Sequence, residues 1–207
     1  VNLAYYLSKN GKKTLLIDFD PQGNATSGLG VDKQKLEKTM ADVVLEAVSL
    51  DQVTIETAYK NFFLAPATPT LANTEVQLAQ AEHRFSRLRN AIEASAENYD
   101  VIIIDCPPSL SLLTVNGLVT ANYVLLPVQA EFYALEGLGQ LLETMKLIRK
   151  AMNPTLELLG VLPTMIDSRT TLSGQVYEEI KKHFPGKVFD SIIPRNIRLA
   201  EAPSHGL

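Results

Sequence analysis

Two runs of this chain end in the residue types that phosphate chemistry uses. The first is Thr14-Leu15-Leu16-Ile17-Asp18-Phe19-Asp20-Pro21-Gln22-Gly23-Asn24, and the second is Val101-Ile102-Ile103-Ile104-Asp105-Cys106-Pro107-Pro108-Ser109. Each is an apolar stretch that closes on a carboxylate and a proline turn. Read as buried strands, they deliver Asp18, Asp20 and Asp105 to the carboxyl edge of a sheet, where open α/β sheets bind ligands. Asp18 and Asp20 are two residues apart, so on a regular strand their side chains share a face. A carboxylate at such an edge can hold the water shell of Mg²⁺, which keeps several waters and takes few protein ligands. It can also orient a water that attacks a γ-phosphate. The plainer reading of Asp20-Pro21-Gln22-Gly23 is a turn, since Pro and Gly suit turn positions, and many buried strands end in Asp. The two runs together carry more than either alone: a magnesium–nucleotide site needs two strand-end acidic positions.

Other reactive residue types offer less. Pro107-Pro108 stiffens the loop after the second run, and Ser109 is the expected N-cap of a helix. A segment that repositions when a phosphate leaves can have this form. Cys106 reads as a small buried apolar residue rather than a nucleophile, and no second cysteine exists to share a metal cluster. His83, His183 and His205 lie far apart without zinc-ligand spacing. His83 and His183 read as helix-surface residues. No Ser/His/Asp order can be assigned.

The elements that must position these residues alternate along the chain. Helix is expected over Asn2 to Lys9, stopped by Asn10-Gly11. The first strand runs from Lys13 to Phe19, and its unbroken apolar core predicts burial on both faces. Residues 21–38 read as loop or short helix, Thr39 to Val48 as a short helix, and Asn61 to Ala65 as a strand. Leu71 to Glu97 reads as a long helix broken near His83-Arg84. Then come a strand over Val101 to Cys106, a helix over Ser109 to Ala121 and a strand over Tyr123 to Val128. Leu135 to Met152 is an amphipathic helix with Leu135, Leu138, Leu142, Met145 and Ile148 on one stripe, read as a core face rather than a membrane-surface face. A strand over Leu158 to Ile166, a helix over Leu172 to Phe184 and a last strand over Val188 to Ile193 complete the series. The alternation predicts an α/β fold with a mostly parallel sheet flanked by helices on both faces. No repeat or linker divides residues 1–207, so one nucleotide-binding α/β domain is expected. It reads as incomplete at both ends, because Val1 opens inside an apparent helix and Ser204-His205-Gly206-Leu207 has no closing helix.

The 207 residues fit a single domain, and 46% apolar content allows a sizeable core. No apolar run reaches the ~18 residues of a membrane span, and no secretory signal opens the chain. A net charge of −4 does not point to a nucleic-acid binder. The charge is uneven, however: residues 1–159 carry 13 Lys/Arg against 18 Asp/Glu, and residues 160–207 carry 6 against 5. Any attraction to phosphate backbones would come from a local patch drawn from Arg169, Lys181, Lys182, Lys187, Arg195 and Arg198.

In their order, these residues closely resemble the ParA/Soj family of deviant Walker-type ATPases, which partition chromosomes and plasmids. The resemblance covers Thr14 to Gly30, Ile104 to Ser109, Pro127-Val128-Gln129 with Tyr133 to Leu138, and Ile193 to Gly206. It implies a P-loop NTPase-like fold that binds ATP and Mg²⁺ and forms a homodimer on ATP binding. It further implies binding to non-specific DNA, a cytoplasmic, nucleoid-associated location, no membrane attachment, and stimulation by a ParB-like centromere-binding protein. By position, Asp20 resembles the residue that orients the attacking water, Asp18 its supporting neighbour at the cofactor, and Asp105 the carboxylate that holds a magnesium-bound water. Pro194 and Asn196 resemble the segment that touches the adenine ring. Arg169 and Arg198 match DNA-contacting arginines, a role that requires charge but no base reading.

The family's glycine-rich phosphate loop and the strand before it would precede Val1. The chain as written is therefore expected to be inactive, and the full-length protein to be an ATP hydrolase. A MinD-like division-site ATPase is the nearest rival, disfavoured by Asp20-Pro21-Gln22-Gly23-Asn24. A nitrogenase-type iron protein would need two cluster cysteines. A non-catalytic DNA- or partner-binding module would bind DNA indifferently to ATP.

Overall fold

The computed structural model describes residues 1–129, 134–167 and 169–201. The chain divides into two compact units, Val1–Thr120 with Glu201, and Ala121–Ala200.

In the first unit, Thr14–Asp18 forms β1, buried at all five positions. It is flanked in parallel by Phe62–Ala65 (β3) and Val101–Asp105 (β4), and the two-residue strand Ile55–Glu56 (β2) adds antiparallel to β3, giving the order β2-β3-β1-β4. The two faces of β1 serve two cores, as the continuous apolar run requires. Leu15 and Ile17 pack with residues of the helices Met40–Val44 (α3), Leu50–Val53 (α4), Thr70–Leu78 (α5) and Arg87–Glu93 (α6). Leu16 points the other way, into a cluster with Ala4 of Asn2–Lys9 (α1), Ala25 of Asn24–Gly28 (α2), Phe62 and Leu64. Gly11 takes the positive φ of +84° that stops α1, as Asn10-Gly11 predicts. Thr39 and Asp42 form a capping box that starts α3.

Two expectations need correcting here. The break expected near His83-Arg84 is present as an eight-residue gap of turns between α5 and α6, but His83 lies in that gap at φ +56° rather than on a helix surface. The helix after β4 is Leu112–Thr120 (α7), so Ser109 is not its N-cap. Its first amides are met by Glu75 of α5, whose Oε1 accepts from Leu112 N–H at 2.6 Å, and by Ser111 Oγ, which accepts from Leu113 N–H at 3.2 Å. A carboxylate at a helix N-terminus also complements the helix dipole.

Gly117 of α7 lies against the end of β4: a Cβ there would sit 2.6 Å from Cys106 Sγ. Gly117→Ala is expected to destabilise the protein by about 1–2 kcal/mol, overpacking outweighing the gain in helix propensity. Adding Cys106→Ala should recover most of that loss. Urea midpoints decide it, and an unchanged midpoint in Gly117→Ala would mean that the contact relaxes freely.

In the second unit, Tyr123–Gln129 (β5) and Glu157–Thr164 (β6) pair in parallel. Thr171–His183 (α9) covers them with Val176 and Ile180. Ala134–Ala151 (α8) presents Leu138 and Leu142 to that core, and its Met145 and Ile148 are buried. The stripe is thus a core face, although Leu135 lies outside the side chains described. The strand expected over Val188 to Ile193 is present only as isolated bridges, Val161 with Val188 and Ile166 with Pro194. Pro163, two residues past the first bridge, lacks the N–H that a continuous ladder needs. Ile197–Glu201 (α10) ends the described chain. Among the described residues, no helix is long and apolar enough to cross a membrane.

Candidate functional site

The first unit brings Asp18, Asp20 and Asp105 to one sheet edge. Asp18 and Asp105 are register partners across β1 and β4, and Phe19 N–H donates to Asp105 O at 2.8 Å. β1 ends at Asp18, however, so Asp20 lies in a bend beyond the strand, and the two-residue rule for a shared face does not apply to it.

The three carboxylates have different surroundings. Asp18 has no exposed surface. Its Oδ2 accepts from Thr26 N–H at 2.8 Å and from Thr26 Oγ1 at 2.6 Å, while its Oδ1 takes a longer contact from Asp20 N–H at 3.4 Å. Burial pushes its pKa up, the Thr26 hydrogen bonds oppose that shift, and the charge of Asp20 adds to it. Asp20 is half-buried, and among the described residues its Oδ1 accepts from Gln22 N–H of its own loop, at 2.9 Å. Asp105 keeps open surface at the tip of β4. The protein mass around it still raises its pKa, and the charges of Asp18 and Asp20 add to that shift. Asp105 is thus exposed, Asp20 half-buried and Asp18 fully enclosed. Hard oxygen donors of this kind suit a magnesium ion that keeps most of its waters. Among the described residues, no cluster of three or more His, Cys, Asp or Glu is arranged to hold a metal by itself. Burial and the nearby carboxylates push the Cys106 thiol up to about 12, so it stays protonated and is no nucleophile at neutral pH.

The Asp20 loop is pinned on several sides. Lys33 Nζ donates to Gln22 O at 2.6 Å, and Gly23 N–H donates to Asp20 O at 2.8 Å. Gly23 sits at φ +61°, where a Cβ would meet Ala67 O at 2.8 Å. Only glycine tolerates both the conformation and the approach. Neither Thr26 nor Lys33 stands out in the sequence, because small polar residues after a Pro-Gly turn read as loop.

The second unit carries the other four candidates. Ile166 bridges Pro194, and Arg195 N–H donates to Ile166 O at 2.9 Å, which sets the 194–196 segment beside Asp167. Asn196 Oδ1 accepts from Arg198 N–H at 2.9 Å. Arg169 grips Asp167 with both ends of its fork, Nε at 2.9 Å and Nη2 at 2.7 Å. Those bonds hold the Asp167 carboxyl down at about 2. The basic patch read from the sequence is largely paired: Lys181 with Glu178, Lys182 with Glu179, and Lys187 Nζ on Leu158 O. Arg198 is exposed and forms no ion pair among the described residues.

The fold and its acidic sheet edge are those of the α/β P-loop NTPase class. The profile of the AAA domain family matches residues 1–158. The chain belongs to the ParA/Soj family of partitioning ATPases. It is 50% identical over 206 residues to the sporulation initiation inhibitor protein Soj of Bacillus subtilis (strain 168), covering 100% of this chain and 81% of that one. It is 46% identical over 206 residues to the chromosome partitioning protein ParA of Myxococcus xanthus (strain DK1622), covering 100% and 73%. Among solved structures, cobyrinic acid a,c-diamide synthase from Mycobacterium smegmatis with a bound ATP analogue and magnesium superimposes with a TM-score of 0.89 and 39% identity, over 94% of this chain and 77% of that one.

Proposed function

We propose that the protein hydrolyses Mg-ATP to drive the partitioning of chromosomal or plasmid DNA. One observation carries the reading: exposed Asp105 at the end of β4 and half-buried Asp20 just past the end of β1 lie at one carboxyl edge of neighbouring parallel strands. That edge is where open α/β sheets take nucleotides. Asp20 orients the water that attacks the γ-phosphate, and Asp18 supports it from below. Asp105 holds a water of the magnesium shell. The ion supplies charge neutralisation for the transferring phosphoryl group. Pro194 and Asn196 lie against the adenine ring, and Arg169 and Arg198 take DNA phosphates. ATP binding makes the homodimer, the dimer binds DNA of any sequence on the nucleoid, and a ParB-like protein stimulates turnover. The reading of the chain as one nucleotide-binding domain belongs to this proposal.

The test is ATP turnover and DNA binding by the full-length protein. Turnover should require Mg²⁺, and DNA affinity should require ATP, fall as salt rises and ignore sequence. DNA binding indifferent to ATP would favour a non-catalytic module instead. Arg198→Glu is expected to weaken DNA binding about tenfold at low salt while nucleotide affinity stays unchanged. Joint loss of both would make Arg198 structural.

A further inference from the structure

Thr26 has no place in the site as read above, yet it is fully buried and uses both capacities of its hydroxyl. Oγ1 donates to Asp18 Oδ2 at 2.6 Å and accepts from Ala67 N–H at 3.0 Å, and the Thr26 amide donates to the same Asp18 oxygen at 2.8 Å. One side chain thus ties together the end of β1, the start of α2 and the segment that follows β3. The first two border the loop that carries Asp20, and the third is the wall it is fastened to.

The arrangement is costly for a purely structural device. A carboxylate without exposed surface needs its partners supplied by the protein. Here they are the N–H and O–H groups of Thr26 and the amide of Asp20, with no lysine or arginine in ion-pair contact among the described residues. The carboxylate therefore holds Thr26 and touches the Asp20 backbone at the same time. The close approach of Gly23 to Ala67 presses the same loop onto the same segment. The loop's other ties are Gln22 N–H to Asp20 Oδ1, Gly23 N–H to Asp20 O, Lys33 Nζ to Gln22 O and, at its base, Phe19 N–H to Asp105 O. Without the latch, the loop keeps these ties and loses the hydrogen bond that anchors its far border to the segment after β3.

We propose that Thr26 is a positioning residue for ATP hydrolysis: with Asp18 it forms a buried latch that fixes the Asp20 loop against the backbone at Ala67. This rests on the function proposed above. Thr26 touches neither substrate nor metal and acts only through Asp20. Misplacement of a reacting group by about 1 Å costs up to roughly 100-fold in rate, so the latch should be read out in kcat.

The experiment is steady-state ATP hydrolysis by full-length Thr26→Val and Thr26→Ser proteins, alone and combined with Asp20→Ala. Valine keeps the shape and removes the hydroxyl; serine keeps the hydroxyl. Thr26→Val is expected to lower kcat about 10- to 100-fold with KM for ATP within about twofold, and Thr26→Ser to restore most of the rate. In the Asp20→Ala background, Thr26→Val should remove nothing further, because its effect runs through Asp20. A kcat within about twofold of the unaltered protein, or a loss that adds fully to that of Asp20→Ala, overturns the latch. If Thr26→Val does not fold, Asp18→Asn serves in its place, since it turns an amide N–H₂ or a neutral acceptor toward Thr26. The same split between kcat and KM is then expected, and full activity overturns the proposal. Absence of ATP turnover in the unaltered protein would overturn the ATPase reading and this one with it. Turnover there with a fully active Thr26→Val sinks the latch alone.

Discussion

Asp20→Ala is expected to leave ATP binding and dimerisation in place and to reduce turnover by about 10²- to 10⁴-fold, the usual worth of a positioned acid–base group. The split follows from how little the Asp20 side chain does for the fold. It is half-buried and accepts one hydrogen bond, from Gln22 in its own turn. Removing a single local bond of this kind costs about 0.5–1.5 kcal/mol. The loop backbone keeps its other ties: Phe19 N–H to Asp105 O, Gly23 N–H to Asp20 O, and Lys33 Nζ to Gln22 O. Asp18→Ala is a different case, because it strips the partner of a buried threonine and should lower stability as well as rate. Single-turnover hydrolysis, nucleotide affinity and light scattering, measured together, separate the outcomes. Unchanged hydrolysis in Asp20→Ala would refute the role given to Asp20, and lost nucleotide binding would make it a ligand.

The strands and helices that carry the acidic edge are legible in the sequence for a plain reason. Thr14 to Asp18 and Val101 to Asp105 are unbroken apolar runs closed by a carboxylate, and parallel strands buried on both faces have that form. What the sequence does not carry is which carboxylate faces in. Asp18 and Asp20 look equivalent by spacing, and the difference comes from Thr26, eight residues on, and from Ala67, forty-one residues beyond that. The cap of α7 is hidden in the same way: Ser109 has the right residue type, but Glu75, thirty-seven residues before Leu112, meets the helix start instead. Val188 to Ile193 shows the opposite failure. Its apolar pattern is real, and Phe189 N–H and Ile193 N–H do bond to Val161 O and Pro163 O. Pro163 lacks the donor that would join those bonds into a ladder, whereas Pro194 keeps its bridge to Ile166 through Ile193 O and Arg195 N–H.

Arg169 and Asp167 give the other large expected effect, on DNA rather than on ATP. A carboxylate engages the guanidinium fork in the way a phosphate does, and Asp167 holds both ends of the Arg169 fork at 2.7 and 2.9 Å. The arginine itself is 84% exposed and so open to a second anion. A DNA phosphate must share this cation with Asp167 or displace it. Asp167→Asn is therefore expected to tighten DNA binding, by up to about fivefold given the modest worth of an exposed ion pair, and to steepen the salt dependence. Arg169→Glu should act far more strongly, about 10- to 100-fold weaker at low salt, with the slope of log affinity against log salt reduced by about one. The reversal removes a cation and also leaves two carboxylates, at 167 and 169, facing the phosphates. Both variants should bind ATP like the unaltered protein if Arg169 serves DNA alone. The 194–196 segment provides the check, since Arg195 N–H bonds Ile166 O directly beside Asp167. A change in ATP affinity in Asp167→Asn would mean that this turn serves the nucleotide, and unchanged DNA binding in both variants would remove Arg169 from the DNA surface.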